Sequence, residues 1–309
     1  MEVQIPDVLM DLIDNPKLTD ICISPGKTEI DFGSGLTPSE AVLFDEPRLA
    51  ELARALIELG GRRLDQANPF ADVSLPGGIR VHAVLKSACS ESSLVSIRLH
   101  SDEPIRLSQL LTSEMANPAQ RELIWEITKS GESVLITGAT GTGKTTLLRA
   151  MLQELDERII AIEDVTELTG SNIISLQTKP HNIEGQGAIS LDELVRQALR
   201  MRPDRICIGE VRGAELVPML QALNTGHRGS TTLHANCLEQ VPERLISIAS
   251  SQNLEIGALS RLAAAAFQWV ISVAQEDGTR KVSGIGKFAF IDNQLQVVSQ
   301  LRTRKLALA

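Results

Sequence analysis

Short apolar stretches with helical or alternating spacing fill the first third of the chain. Val8, Leu9, Leu12 and Ile13 share one face of a short helix within residues 1–18, and Asn15-Pro16 stops it. Thr19–Ser24 reads as a strand, Pro25-Gly26 as a turn and Thr28–Phe32 as a hairpin partner. Leu49, Leu52, Ala53, Leu56 and Ile57 predict a helix over 47–60, ended by Gly60-Gly61. After the turn Pro76-Gly77-Gly78, the runs Ile79–Leu85 and Ser93–Leu99 predict two neighbouring strands that carry Arg80 and Arg98. Taken alone, those arginines fit solvated strand positions. These elements make an α+β module. The polar, proline-containing Ser101-Asp102-Glu103-Pro104 reads as a linker, so the division expected is 1–102 and 103–309.

Beyond the linker the runs become longer and more apolar. Leu123, Ile124 and Ile127 mark a helix over 118–130, Val134-Leu135-Ile136 a buried strand and Thr146–Leu152 a helix. Arg158–Asp164 is an apolar strand ending in two acids, with Glu167 one short turn further on. Residues 170–189, with Gly185 and Gly187, read as an irregular mobile loop. Ser190-x-x-Glu193 reads as a capping box opening a helix. Leu191, Leu194, Val195, Ala198 and Leu199 line one face of it, and Arg196 and Arg200 the other. Arg202-Pro203-Asp204 breaks this helix, and Arg205–Glu210 forms a second strand ending in an acid. Gly213–Leu223 is helical with Pro218 inside, so the helix either starts near Val217 or kinks. His227 falls on a loop and His234 at the end of a short strand. Helices at 239–250 and 255–267 and strands at 270–273 and 285–291 close the chain, followed by a solvated basic tail of Arg302, Arg304 and Lys305.

Composition narrows the class. Of 309 residues 43% are apolar but only 3% aromatic, with no tyrosine, so the core is built from Leu, Ile, Val and Ala, which suits an α/β protein. The net charge of −9 argues against affinity driven by nucleic-acid phosphates. Cys22, Cys89, Cys207 and Cys237 form no CxxC pair, which argues against zinc and fits a reducing compartment. Cys22 and Cys207 lie in apolar runs and read as small core hydrophobes. The sequence has neither a membrane-spanning apolar run nor a basic-then-apolar leader, so a cytoplasmic or peripheral protein is expected.

The candidate chemistry centres on Gly138-x4-Gly143-Lys144-Thr145. A strand, a glycine loop and a helix follow in the order a phosphate-binding loop requires. Glycines let successive N–H groups turn inward toward phosphate oxygens, and the helix N-terminus adds positive charge. Lys144 is expected to reach the β- and γ-phosphates and the Thr145 hydroxyl to ligate Mg²⁺. Glu163 and Asp164 end one strand and Glu210 another, at the carboxyl edge where parallel sheets bind ligands. Glu210 stands in the place of a Walker B acid, with a glycine unusually before it.

Five segments can then be taken together: Gly138–Thr145, Ile162-Glu163-Asp164, Leu199–Arg205, Gly209-Glu210-Val211-Arg212-Gly213 and Thr225–Asn236. Their combination resembles the secretion ATPase superfamily that powers type II and type IV secretion and type IV pili. Met201–Arg205 and Gly209–Glu215 are most similar to the tight-adherence (Tad/Flp) pilus branch and to conjugal type IV secretion ATPases. The likeness covers about residues 60–245 and continues more weakly through Leu75–Val84 and Ser96–Arg98.

The resemblance implies a RecA-like P-loop domain preceded by a smaller PAS-like α+β domain, six such subunits in a ring, and ATP with Mg²⁺ at the interdomain and intersubunit cleft. Gly138, Ala139, Thr140, Gly141, Thr142, Gly143, Lys144, Thr145 and Thr146 would cradle the nucleotide. Glu163 would polarise the attacking water, Glu210 support Mg²⁺ and that water, and His234 sense the γ-phosphate. Arg80 and Arg98 would bring positive charge to the phosphates, with Arg196 and Arg200 as further candidates for intersubunit contacts. Its implied partner is an inner-membrane platform protein, which places the chain at the cytoplasmic face of the membrane. The four-cysteine zinc motif of many type II secretion ATPases is missing. A nucleotide-binding scaffold without turnover is disfavoured by the full set Lys144, Thr145, Glu163 and Glu210. The acidic charge disfavours a nucleic-acid motor.

Overall fold

The structure is a computed structural model that describes residues 7–302 apart from 16, 34, 41–42, 88, 100–104, 113, 180–186, 253 and 277. The chain divides into two compact units, Met1–Glu103 and Pro104–Ala309. The linker expected at 101–104 lies outside the described residues.

The first unit runs α1 (Asp7–Ile13), β1 (Asp20–Ser24), β2 (Lys27–Asp31), β3 (Leu36–Ser39), α2 (Glu46–Leu59), β4 (Phe70–Leu75), β5 (Ile79–Val84) and β6 (Leu94–Leu99). Its antiparallel sheet has the order β3-β2-β1-β6-β5-β4. Alternation sets the faces: Ile21, Ile23, Val81, Ala83, Val95 and Ile97 are buried with Leu49, Leu52, Ala53, Leu56 and Ile57 of α2. Asp45 caps α2 by accepting from the Arg48 N–H at 3.0 Å. A Cβ on Gly60 would lie 2.3 Å from the Val73 Cβ, so α2 ends where it meets β4. Cys22 corrects an expectation. It points to the face opposite Ile21 and Ile23 and is only half-buried, with Sγ 4.0 Å from Ser96 Oγ. The edge strands β3 and β4 escape the sequence reading because β3 carries Pro38 and has no buried residue, while Phe70 of β4 is exposed.

The second unit runs α3 (Leu107–Thr112), α4 (Pro118–Ser130), β7 (Val134–Thr137), α5 (Lys144–Gln153), β8 (Ile159–Glu163), β9 (Ile173–Gln177), α6 (Leu191–Ala198), β10 (Arg205–Ile208), α7 (Leu216–Leu223), β11 (Arg228–Leu233), α8 (Val241–Ala249), α9 (Ile256–Ala266), β12 (Trp269–Glu276), β13 (Thr279–Ile291) and β14 (Gln294–Arg302). The sheet order is β14-β13-β12-β7-β11-β10-β8-β9. From β12 to β9 every neighbour pair is parallel, and the β12-β13-β14 meander is antiparallel. Both faces are covered, which is why β7, β8 and β10 are mostly apolar; the central strand β11 instead buries Ser230, Thr231 and Thr232. Leu135, Ile160, Ile162, Ile206 and Ile208 pack with α6 to α9; Val134, Ile136, Ile159, Ala161 and Cys207 pack with α3 to α5. Burial pushes the Cys207 thiol pKa up, so it stays a protonated core residue.

Several expectations are corrected here. Ile173–Gln177, within the stretch read as a loop, is a parallel edge strand beside β8; its residues are at most half-buried, so the periodic signal is weak. Gly185 lies outside the described residues. The Ser190 hydroxyl donates to the Asp192 carboxylate, and no capping box forms there. Of the two alternatives for Pro218, a start near Val217 holds: α7 begins at Leu216, which puts Pro218 in the first turn, where a missing N–H costs no helical bond. The closing strands are longer than expected and include β14, joined to β13 through Asp292 and Asn293 at φ 51° and 64°, a type I′ pair. Arg302 ends β14; Arg304 and Lys305 lie outside the described residues.

Candidate nucleotide site

Strand β7, buried along its whole length, delivers the chain to Gly138 at the carboxyl edge of the parallel strands. No side chain fits at Gly138: a Cβ would stand 2.3 Å from the Val273 carbonyl oxygen and 2.7 Å from Thr142 Oγ1. Gly141 and Gly143 turn at φ 78° and 91°. Thr142 Oγ1 donates to the Ala139 carbonyl at 2.9 Å and closes the loop. Lys144 opens α5 and folds back, with Nζ donating to the Gly138 and Ala139 carbonyls at 3.0 and 2.9 Å and lying 3.2 Å from His234 Nδ1. Burial holds the Lys144 pKa below the usual lysine value; the negative charges of Glu210 and Glu167 oppose that shift, and Arg212 adds to it. The loop N–H groups and the head of α5 are therefore available to a polyphosphate, with Lys144 poised to exchange two carbonyls for phosphate oxygens.

The acids belong to neighbouring strands. Glu163 ends β8 and is 6% exposed; its Oε2 accepts from the Glu167 and Leu168 N–H groups at 3.1 Å each. Gly209 follows β10 and lies against Glu163: a Cβ there would be 2.7 Å from Glu163 Cγ and Oε1. The glycine that looked out of place before Glu210 is the room Glu163 occupies. Asp164 turns outward and takes a hydrogen bond from Thr178 Oγ1 at 3.1 Å. Glu210 Oε1 is 2.9 Å from His234 Nε2, and its Oε2 accepts from Arg212 Nη2 at 2.9 Å. An ammonium has no acceptor, so His234 Nδ1 accepts from Lys144; the neutral ring then carries its proton on Nε2 and donates to Glu210. Arg212 Nη1 lies 3.9 Å from Asp164 Oδ2. The hydroxyl of Thr145 and the carboxylates of Glu210 and Asp164 are hard oxygen donors of the kind Mg²⁺ takes.

The structure thus joins Lys144, His234 and Glu210 by direct contacts and sets Glu163 against the backbone next to Glu210. His227 is separated from this group by the length of β11 and contacts the Ala222 carbonyl at 3.2 Å. Arg80 and Arg98 belong to the first unit, directly opposite one another on β5 and β6; Arg98 pairs with Asp20 at 2.8 Å. Arg196 pairs with Asp192 on α6 at 3.1 Å, and Arg200 is exposed. Sequence reasoning missed Arg212 as a site residue. The available signal was its position two residues after Glu210. It also missed Gln240, Glu243 and Arg244, which with Gly138–Thr140 and His234–Asn236 line a cavity of about 520 Å³.

The opposite edge of the sheet holds a buried ion cluster that the sequence did not suggest. Arg205, 1% exposed, donates Nε to Glu157 Oε2 at 2.7 Å, Nη2 to the Gly131 carbonyl at 2.6 Å and Nη1 to Ser230 Oγ at 3.0 Å. Arg228 Nη1 reaches the other Glu157 oxygen at 2.7 Å.

The family described as type II/IV secretion system protein matches residues 41–297. A putative conjugal transfer protein of Mycobacterium tuberculosis is 37% identical over 305 residues, covering 94% of this chain and 87% of that protein. The type IV secretion system protein PtlH of Bordetella pertussis is 32% identical over 256 residues, covering 74% and 76%. The X-ray structure of the Legionella pneumophila ATPase DotB shares the fold, with a TM-score of 0.65 at 21% identity over 94% of this chain and 82% of that one.

Proposed function

Because the chain belongs to the type II/IV secretion system protein family and is an ATPase of it, we propose that it hydrolyses Mg²⁺-bound ATP to drive a type IV secretion, conjugal-transfer or Tad/Flp-type pilus machine at the cytoplasmic membrane. One observation carries this reading. Lys144 is held in its loop by two exchangeable carbonyls, at the sheet edge where Glu163 ends β8 and Glu210 lies two residues beyond the end of the adjacent β10.

Residues 138–146 wrap the phosphates, and Lys144 meets the β- and γ-phosphate oxygens. Thr145 and Glu210 would hold Mg²⁺, partly through water, and the bound ion would neutralise charge that develops on the transferred phosphoryl group. Glu163, fixed by two backbone N–H groups, orients and polarises the attacking water. His234, in contact with both Lys144 and Glu210, responds when a γ-phosphate draws Lys144 away. Arg80 and Arg98 supply further positive charge to the nucleotide. The working form is a homohexamer that engages an inner-membrane platform protein. No described helix is long and apolar enough to cross a membrane.

The test is steady-state ATP hydrolysis by wild type and Glu163→Gln across protein concentrations, with the mass measured at each. Turnover that rises with ring assembly and vanishes in the variant is expected. Robust turnover in Glu163→Gln removes Glu163 from its role and moves attention to Glu210 or Glu167.

A further inference from the structure

Both oxygens of Glu210 are already engaged. His234 occupies Oε1 and Arg212 occupies Oε2, both at 2.9 Å. A metal ion at Oε2 would meet the like charge of the guanidinium already there, whereas Oε1 faces the imidazole. The two differ in how they are held. His234 follows β11 and is locked between Lys144 and Glu210. Arg212 is anchored at its backbone, and its side chain is held by ion pairs alone. The buried Glu215 carboxylate accepts from the Arg212 and Gly213 N–H groups, and Val211 N–H donates to the Thr232 carbonyl at 3.0 Å. Beyond that anchored backbone the Arg212 side chain is 62% exposed, and it reaches toward Asp164 as well as Glu210. Solvent at the arginine end screens the pair and weakens it. The guanidinium lies between the segments that follow β8 and β10, 2.9 Å from Glu210 and 3.9 Å from Asp164.

We propose that Arg212 is a positioning residue that occupies Glu210 while the metal is absent and releases it when Mg²⁺ arrives with the nucleotide. The inference rests on the reading of residues 138–146 as a Mg²⁺–nucleotide site. Its consequence is that Arg212 shields phosphates from the Glu210 charge when no metal is present, and competes with the metal when one is.

The experiment is binding of a fluorescent ADP analogue, with Mg²⁺ and with EDTA, to full-length wild type, Arg212→Gln, Arg212→Lys, Glu210→Gln and the Arg212→Gln/Glu210→Gln pair. In Arg212→Gln the affinity in EDTA falls while that with Mg²⁺ is held or improved. The preference for the metal form then rises about tenfold, a size that one unit charge a few ångströms away can produce in a partly screened site. Arg212→Lys restores most of the wild-type ratio. In the Glu210→Gln background the substitution moves the ratio by less than about twofold, because the residue acts through Glu210. An unchanged ratio in Arg212→Gln, or an equal shift with and without Glu210, overturns the proposal. Lys144→Ala separates the two levels of argument: undiminished binding by that variant, or none by wild type, overturns the nucleotide-site reading and this inference with it.

Discussion

The close contact between Gly209 and Glu163 gives a test in which a single methyl group is added. Gly209 does not have a positive φ, so Gly209→Ala introduces no backbone strain. Its effect is steric and falls on one side chain. The three atoms nearest the new Cβ all belong to Glu163: Cγ and Oε1 at 2.7 Å and Cδ at 3.1 Å. Moving from 2.7 Å to the 3.4 Å of an ordinary contact displaces the carboxylate by about 0.7 Å. That carboxylate is held by two 3.1 Å hydrogen bonds to Oε2, which cannot both survive such a shift. Overpacking of this kind costs about 1–3 kcal/mol of stability.

If Glu163 positions the attacking water, a misplacement approaching 1 Å lowers kcat by roughly ten- to a hundredfold, or about 1.4–2.7 kcal/mol of barrier. The assay is steady-state hydrolysis beside equilibrium binding of a fluorescent ATP analogue. Binding should change little, since no phosphate-loop atom is among the three nearest the new methyl. A thermodynamic cycle with Glu163→Ala isolates the cause, because in that background Gly209→Ala should destabilise far less. Wild-type kcat at wild-type stability would refute the reasoning and show that the observed place of Glu163 is not the one used in turnover.

Two more outcomes are expected. Glu157→Ala leaves the buried Arg205 guanidinium without its carboxylate and should cost about 3–5 kcal/mol in denaturant unfolding; a loss below about 1 kcal/mol would mean that other groups or water compensate the charge. The Lys144 pKa is lowered in the free protein, and an anionic phosphate at Nζ raises it again, so nucleotide binding takes up protons between the two values. Titration calorimetry in buffers of different ionisation heat should show this uptake growing as the pH is raised above neutrality and disappearing in Lys144→Met. Proton release, or no buffer dependence at any alkaline pH, would contradict it.

The phosphate loop is legible in the sequence because its chemistry is local. The turn needs Gly138, Gly141 and Gly143 in a fixed order, and the lysine that serves it is the next residue. The helical stripes of α2 and α4 are legible for the same reason: each face is encoded within one segment. Three kinds of feature are not. Edge strands such as β3, β4 and β9 bury little, so their side chains lack the contrast from which a pattern is read. The Ser190-x-x-Glu193 spacing fits a capping box, yet Asp192 lies nearer the hydroxyl and takes it. The Gly209 anomaly cannot be resolved until β10 is known to pair with β8 in the register Ile208↔Ile162, which brings the residue after one against the residue after the other.

Arg205 shows what that pairing accomplishes across the whole sheet. Its one guanidinium bonds to Gly131 just before β7, to Glu157 just before β8, and to Gly229 and Ser230 at the start of β11, while it begins β10 itself. Four parallel strands are therefore pinned in relative register at their amino ends. β10 is only four residues long, about 13 Å, and is held by parallel ladders on both sides, so register fixed at one end is kept at the other. The carboxyl ends of these same strands carry Gly138, Glu163, Gly209-Glu210 and His234. A slip of one residue between β8 and β10 would point Glu163 and its neighbours to the wrong face and remove the gap at Gly209. An arginine with no part in the phosphate site is thus placed to set the geometry on which that site depends.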